Sequence, residues 1–202
     1  MFSPNKVKDL HMQFLKRNDS GIWVITATTG EFAHPSANIC YTGIGKVNAA
    51  IAIQKLIDIE KHKLIINLST AGSSVFDFGE IVNCTGFVQR DMNTTEFLAP
   101  KYVVPMSDDA QVLEYGARDN NYPSAICGSG DTFVRNIVED IWNVVDMESF
   151  AYAYACRAEG IEFKCYKFIS DGKGENTADH EWTDVLDQAN KALNELYEKM
   201  MK

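Results

Sequence analysis

Five apolar, β-branched-rich runs in this chain end alike, in a short cluster of small or polar residues: GIWVITATTGE (21–31), NICYTGIGK (38–46), LIINLSTAGSS (64–74), SAICGSGD (124–131) and KFISDG (167–172). Continuous apolar runs of this length read as strands buried on both faces. Between them lie segments of helical period. Residues 47, 50, 51, 53, 56, 57 and 59 suit one helix, and Trp182, Val185, Leu186, Ala189, Leu193 and Leu196 form the stripe of another over roughly 181–201. Alternating strands and helices predict an α/β sheet covered by helices on both faces. With 202 residues, 46% of them hydrophobic, the chain suits one domain spanning 1–202. Ligands in such sheets collect outside the carboxyl ends of the strands, and the polar clusters converge on one edge if the strands are parallel.

Other segments are less regular. Leu10, Phe14 and Leu15 recur at helical spacing, which predicts a leading amphipathic helix or arm over 1–20 that stops at Asp19-Ser20-Gly21. FDFGEIVNCTGFVQRD (76–91) reads as an antiparallel or edge excursion, and 100–122 is rich in turn formers. FAYAYACRAEG (150–160) reads as a packed helix, with Met147, Phe150, Ala151 and Tyr154 facing inward at its start.

Composition narrows the partners. A net charge of −9 opposes binding to nucleic acid or to an anionic membrane. The sequence has no charged-then-apolar leader and no apolar run of about 18 residues, so the expected location is the cytoplasm. Cys40, Cys84, Cys127, Cys156 and Cys165 are scattered without C-x-x-C spacing, and the four histidines show no ligand spacing. Reduced core thiols, no metal and no cofactor are expected.

The acidic residues at the strand ends are Glu31, Asp131, Asp146, Glu148 and Asp171. Each alone suits a solvated loop or, for Asp146 and Glu148, a helix N-terminus. Clustered carboxylates repel one another, however, and persist where they bind polyols, metals or protons. TGIGKVNAA (42–50) meets neither phosphate-loop template, since the dinucleotide fingerprint needs Gly where Asn48 stands. It remains a glycine loop before a helix, either a tight turn or an approach to an anion or hydroxyl.

Taken in order, GIGKVNAA, INLSTAGS, FGEIV, RDMNTTEF, GSGDTFV, VVDMES and FISDG resemble the purine nucleoside phosphorylase and 5′-methylthioadenosine/S-adenosylhomocysteine nucleosidase superfamily, over about residues 21–172. DMES and the later SDG are the most diagnostic pair. The resemblance implies a mixed, partly barrel-like β-sheet sandwiched by α-helices, a small-molecule purine nucleoside as ligand, and a homodimer or larger homo-oligomer. It makes Asp171 the acid that protonates the departing purine, Glu31 the carboxylate that activates water, and Glu148, after Met147, the grip on the ribose hydroxyls. Phe133 would stack on the base, Val134 would present backbone groups to the purine edge, and Thr70, Ala71 and Gly72 would line the sugar and water side. Asp146 is left with a local role at the helix entry.

The chemistry suits these residue types. Breaking an N-glycosidic bond leaves positive charge on the sugar and negative charge on the base, so one carboxyl must give a proton and another must activate water, by analogy with inverting glycosidases. Asp171, following Phe168-Ile169, is placed for the desolvation that keeps an acid protonated, whereas the helix dipole is expected to keep Glu148 ionised. A phosphorylase would instead need cations for a phosphate dianion, for which Lys46, Arg90 and Lys167 are the candidates. Glu31 opposes that anion, which favours hydrolysis over phosphorolysis. A non-catalytic nucleoside-binding module is the third reading, and it would not need acid and base together. Two features depart from the resemblance: Lys167 stands where nucleosidases tend to carry Arg, and the segments 32–40 and 132–145 are short, which should open the 5′ side of the sugar.

Overall fold

The computed structural model describes residues 12–59, 61–96, 99–134, 141–173 and 182–202. Nine strands form one mixed sheet: β1 (Gln13–Leu15), β2 (Ile22–Thr26), β3 (Asn38–Tyr41), β4 (Leu64–Gly72), β5 (Ile81–Gln89), β6 (Leu113–Glu114), β7 (Ser124–Ser129), β8 (Val144–Asp146) and β9 (Glu162–Asp171). Among the described residues three helices join them: α1 (Lys46–Ile59), α2 (Ser149–Glu159) and α3 (Trp182–Met200).

Side-chain alternation explains the two-sided covering. On β2, Trp23 and Ile25 face the layer of α1 and α2 together with Ile65, Cys165, Ala49, Ile53, Tyr152 and Ala153. Val24, between them, points the other way and packs with Ile66, Leu68, Tyr166 and Phe168 against Ala189, Leu193 and Leu196 of α3. Residues one apart on a strand lie on opposite faces, so each unbroken apolar run feeds two cores.

The sheet runs in two directions. β3, β2, β4 and β9 are parallel neighbours, as are β5, β7 and β8, and the two groups meet antiparallel where β5 pairs with β9. β8 returns to β4 through the pair Gly72↔Val145. This closes a ring β4-β9-β5-β7-β8, the barrel-like part of the sheet. The strands are therefore not all parallel, yet their carboxyl ends still meet. Strand twist and closure bring the last residues of β4 and β8 side by side where an open flat sheet would hold them apart.

Three sequence expectations change. Phe14 and Leu15 lie in β1, which pairs antiparallel with β3, and not in a helix; residues 1–11 of the expected arm lie outside the described residues. β5 is antiparallel to β9 as expected but is an interior strand, bonded on its flanks by β6, β7 and β9. On α2 the buried positions are Ser149, Tyr152, Ala153 and Cys156, while Tyr154 is exposed. Ser149, Tyr152, Ala153 and Cys156 are spaced i, i+3, i+4, i+7, a stripe offset from the one expected.

Candidate active site

Four backbone turns at the strand ends enclose the acidic residues. The Thr28–Glu31 turn follows β2 and is closed by the Glu31 N–H on the Thr28 carbonyl (3.3 Å). It aims the Glu31 side chain at the end of β4. Glu31 Oε1 accepts from the Thr70 N–H (3.0 Å) and hydroxyl (2.9 Å). Oε2 accepts from Thr26 Oγ1 (3.2 Å), the Thr28 N–H (3.0 Å) and Thr28 Oγ1 (3.3 Å). Both oxygens of a nearly buried carboxylate are thereby satisfied, which is what keeps such a group tolerable away from bulk water.

Glu148 occupies the N-cap position of α2 but makes no capping bond with its side chain. Its Oε1 instead accepts the Gly45 N–H at 2.8 Å, across 103 residues of sequence. Gly45 has φ +95°, and a Cβ there would stand 3.2 Å from Asp131 Oδ1, so the glycine loop is shaped for this contact. The helix dipole does not decide the charge of Glu148. Burial, followed by the neighbouring charges of Asp146 and Glu31, pushes its carboxyl up to about 8, with only the Gly45 N–H and Lys167 pulling the other way. An exposed acid at a helix start gains from the dipole; one with 7% of its surface exposed loses more hydration than the dipole returns.

Asp171 closes β9 and is half-buried. Its carbonyl accepts the Ser73 N–H (2.7 Å), and the 73–79 turn follows the same strand end through Gly79 N–H to Ile169 O and Lys173 N–H to Phe76 O (both 2.9 Å). Gly172 allows this close pass, since a Cβ would lie 2.2 Å from Phe78 N. Ala71 pairs with Ile169 and Gly72 with Asp171 across a register shift, so Thr70, Ala71 and Gly72 form the wall between Glu31 and Asp171. Met147 is half-buried between the two acids of the 146–148 turn.

Asp146 does more than serve the helix entry. It accepts the Ser149 N–H (3.0 Å), as a local cap would, but its Oδ2 also binds Lys167 Nζ at 2.7 Å, with both side chains buried. The ammonium and hydroxyls around it hold its carboxyl down at about 2 against the opposing effect of burial. The signal was present in FKCYKFIS: a lysine inside a buried strand must find an anion.

The three cations offered for phosphate are all committed. Lys167 is fully buried. Lys46 Nζ bonds Asp91, and its N–H donates to Asp131 Oδ1 (2.8 Å). Arg90 donates to the Gly128 carbonyl (3.2 Å), the Gly130 carbonyl (3.0 Å) and the Thr132 hydroxyl (3.1 Å). These bonds brace the end of β7. Beyond it Phe133 is 66% exposed rather than enclosed, and Val134 is half-buried against the cluster of Val88, Tyr102, Trp142 and Val145. Residues 135–140, which follow, lie outside the described residues.

A family model described as the phosphorylase superfamily matches residues 24–202. Among curated relatives, the 5′-methylthioadenosine/S-adenosylhomocysteine nucleosidase of Haemophilus influenzae (strain PittEE) is 30% identical over 181 residues, covering 79% of this chain and 78% of the relative. The enzyme of the same name from Staphylococcus haemolyticus (strain JCSC1435) is 27% identical over 181 residues, covering 80% and 79%. The crystal structure of Campylobacter jejuni 5′-methylthioadenosine/S-adenosylhomocysteine nucleosidase has the same fold, with a TM-score of 0.74 at 19% identity, covering 86% of this chain and 95% of that one.

Proposed function

This chain belongs to the phosphorylase superfamily, and from that premise we propose that it is an N-glycosyl hydrolase, a nucleosidase that cleaves adenosine-type nucleosides such as 5′-methylthioadenosine or S-adenosylhomocysteine. Its similarity to enzymes named for those two substrates supports the class. In this reading Asp171 delivers a proton to the purine as it leaves, Glu148 takes the ribose hydroxyls, and a water held by Glu31 attacks the sugar carbon. Thr70, Ala71 and Gly72 line the sugar, Met147 lies below it, and Phe133 with Val134 faces the base.

The observation that carries hydrolysis over phosphorolysis is the commitment of Lys46, Arg90 and Lys167 to internal acceptors. A phosphate dianion would need partners of that kind, and beside the sugar it would meet Glu31 instead. Release of reducing sugar from a panel of purine nucleosides, with and without phosphate, tests the reading. Release without phosphate is the expected result. Strict dependence on phosphate would make the protein a phosphorylase, and tight binding with no turnover would make it a nucleoside sensor.

The same reading makes the protein a cytoplasmic homo-oligomer. All five cysteines are free and buried, which suits a reducing compartment, and none of the described helices is long and apolar enough to cross a membrane. Ile44, Val47 and Ile51 at the start of α1 are 46%, 68% and 47% exposed, an apolar face that a second copy would cover. Sedimentation equilibrium giving a mass near 22.6 kDa at micromolar concentration would exclude the oligomer.

A further inference from the structure

Under the substrate-facing acids lies a second set of buried polar side chains, centred on Lys167. Its Nζ donates to Asp146 Oδ2 at 2.7 Å and to Ser69 Oγ at 2.5 Å. Ser69 Oγ donates onward to Asn67 Oδ1 (3.3 Å), and Ser149 Oγ stands between that oxygen (3.0 Å) and Asp146 Oδ2. Ser129 Oγ donates to the other oxygen of Asp146 and accepts the Phe150 N–H (2.9 Å). The network joins β4, β7, β8, β9 and α2.

Its ends adjoin the substrate-facing acids along the chain. Ser69 directly precedes Thr70, whose N–H and hydroxyl hold Glu31. Asp146 and Ser149 bracket Glu148. A buried ion pair that served folding alone could be replaced by apolar side chains of the same volume without loss. Placed here, it is also a positive charge beneath two carboxylates.

We propose that Lys167 is a positioning residue for the Glu31–Glu148 pair: through Ser69 and Asp146 its ammonium ties the β4 segment that holds Glu31 to the 146–149 segment that carries Glu148, and its charge favours the ionised form of both acids. The proposal rests on the nucleosidase reading for its catalytic consequence. The titratable groups facing this centre are Asp146 from β8, Glu31 from the turn after β2, Glu148 and Tyr152 from the start of α2, Cys127 from β7 and Cys165 from β9. Cys40 of β3 and Cys84 of β5 lie just beyond. All of these become negative or stay neutral on titration, so Lys167 is opposed from each side.

The test is a carbon-NMR titration of the Glu148 carboxyl in unliganded protein labelled at glutamate Cδ, run beside the pH profile of kcat/KM. Lys167→Met should move the Glu148 titration, and the acidic limb of the profile, up by about one pH unit, because a compensating charge is lost. Lys167→Arg, which keeps the charge, should restore both. Asp146→Asn should move them down, and the neutral pair D146N/K167M should titrate above Asp146→Asn and close to the parent protein. A folded Lys167→Met protein with an unmoved Glu148 titration overturns the proposal. Should that variant fail to fold, the neutral pair decides, and equality with Asp146→Asn overturns the proposal just as firmly. The titration needs no substrate, so a parent protein that cleaves no nucleoside would sink the nucleosidase reading while leaving this result interpretable.

Discussion

Replacing Glu148 with Gln should stabilise the protein, and the gain should grow with pH. In the unfolded chain this carboxyl ionises near its ordinary 4.5, whereas in the fold burial, Asp146 and Glu31 push it up to about 8. Between those values the folded protein holds a proton that the unfolded chain has released. Stability therefore falls as pH rises through the window and levels off above about 8. At 1.36 kcal/mol per unit, the penalty grows from somewhat under 1 kcal/mol at pH 5 to about 3 kcal/mol at pH 7 and nearly 5 kcal/mol at pH 9. Gln keeps an acceptor for the Gly45 N–H and cannot ionise, so it escapes the whole penalty. For a chain of this size, the difference of about 4 kcal/mol between pH 5 and 9 corresponds to a change of roughly 8–16 °C in the gap between the two melting temperatures. Thermal melts of both proteins at pH 5, 7 and 9 read this directly, and titrating groups that do not interact with Glu148 cancel in the difference. A gap that is flat, or that widens toward acid, would refute the argument that Glu148 is held protonated by its surroundings.

Two further substitutions separate the chemical roles. Glu31→Gln should lower kcat by about 10²–10⁴ in a protein that still folds, since a general base contributes on that scale; phosphate should not rescue it. Asp171→Asn should lose turnover by a comparable factor yet bind substrate in equilibrium dialysis, because an amide can hold the base but cannot donate the proton, and an unchanged rate would remove Asp171 from the mechanism. Gly172→Ala tests the fold around that acid. Its Cβ would meet backbone at 2.2 Å, so chemical denaturation should show a loss of more than about 2 kcal/mol, in the range reserved for overpacking.

The strands and helices were legible where one kind of period dominates. The runs ending at Thr26, Gly72, Ser129 and Asp171 are long, apolar and bounded by small residues, and each is a strand. Residues 13–15 are ambiguous in sequence because Phe14 and Leu15 fit a helical spacing equally well, and only the pairing with β3 arbitrates between the two. The position of β5 was hidden for a related reason: its own sequence has turn residues at both ends, while its interior place depends on three partners far away in the chain. The acids of the site were visible as strand-end residues. Their protonation was not, because the charge of Glu148 depends on how deeply it is buried and which carboxylates lie beside it. The charge of Lys167 suits a phosphate site when read alone, although the apolar residues around it in the sequence point to an internal partner.

The short strand β1 has a consequence for how copies of this chain can meet. Among the described residues the sheet ends in β1, with three residues, and β6, with two. A free strand edge recruits another chain through a row of unpaired amides, and rows this brief give little purchase. Without β1 the flank of the sheet at β3 would stand open unless another segment guarded it. Here a segment from the other side of β2 in the chain does so, spanning the gap from Leu15 to Ile39. A protein cut to begin at Gly21 would keep Glu31, Asp146, Glu148 and Asp171 and lose that guard, leaving the edge of β3 open to pairing with another chain.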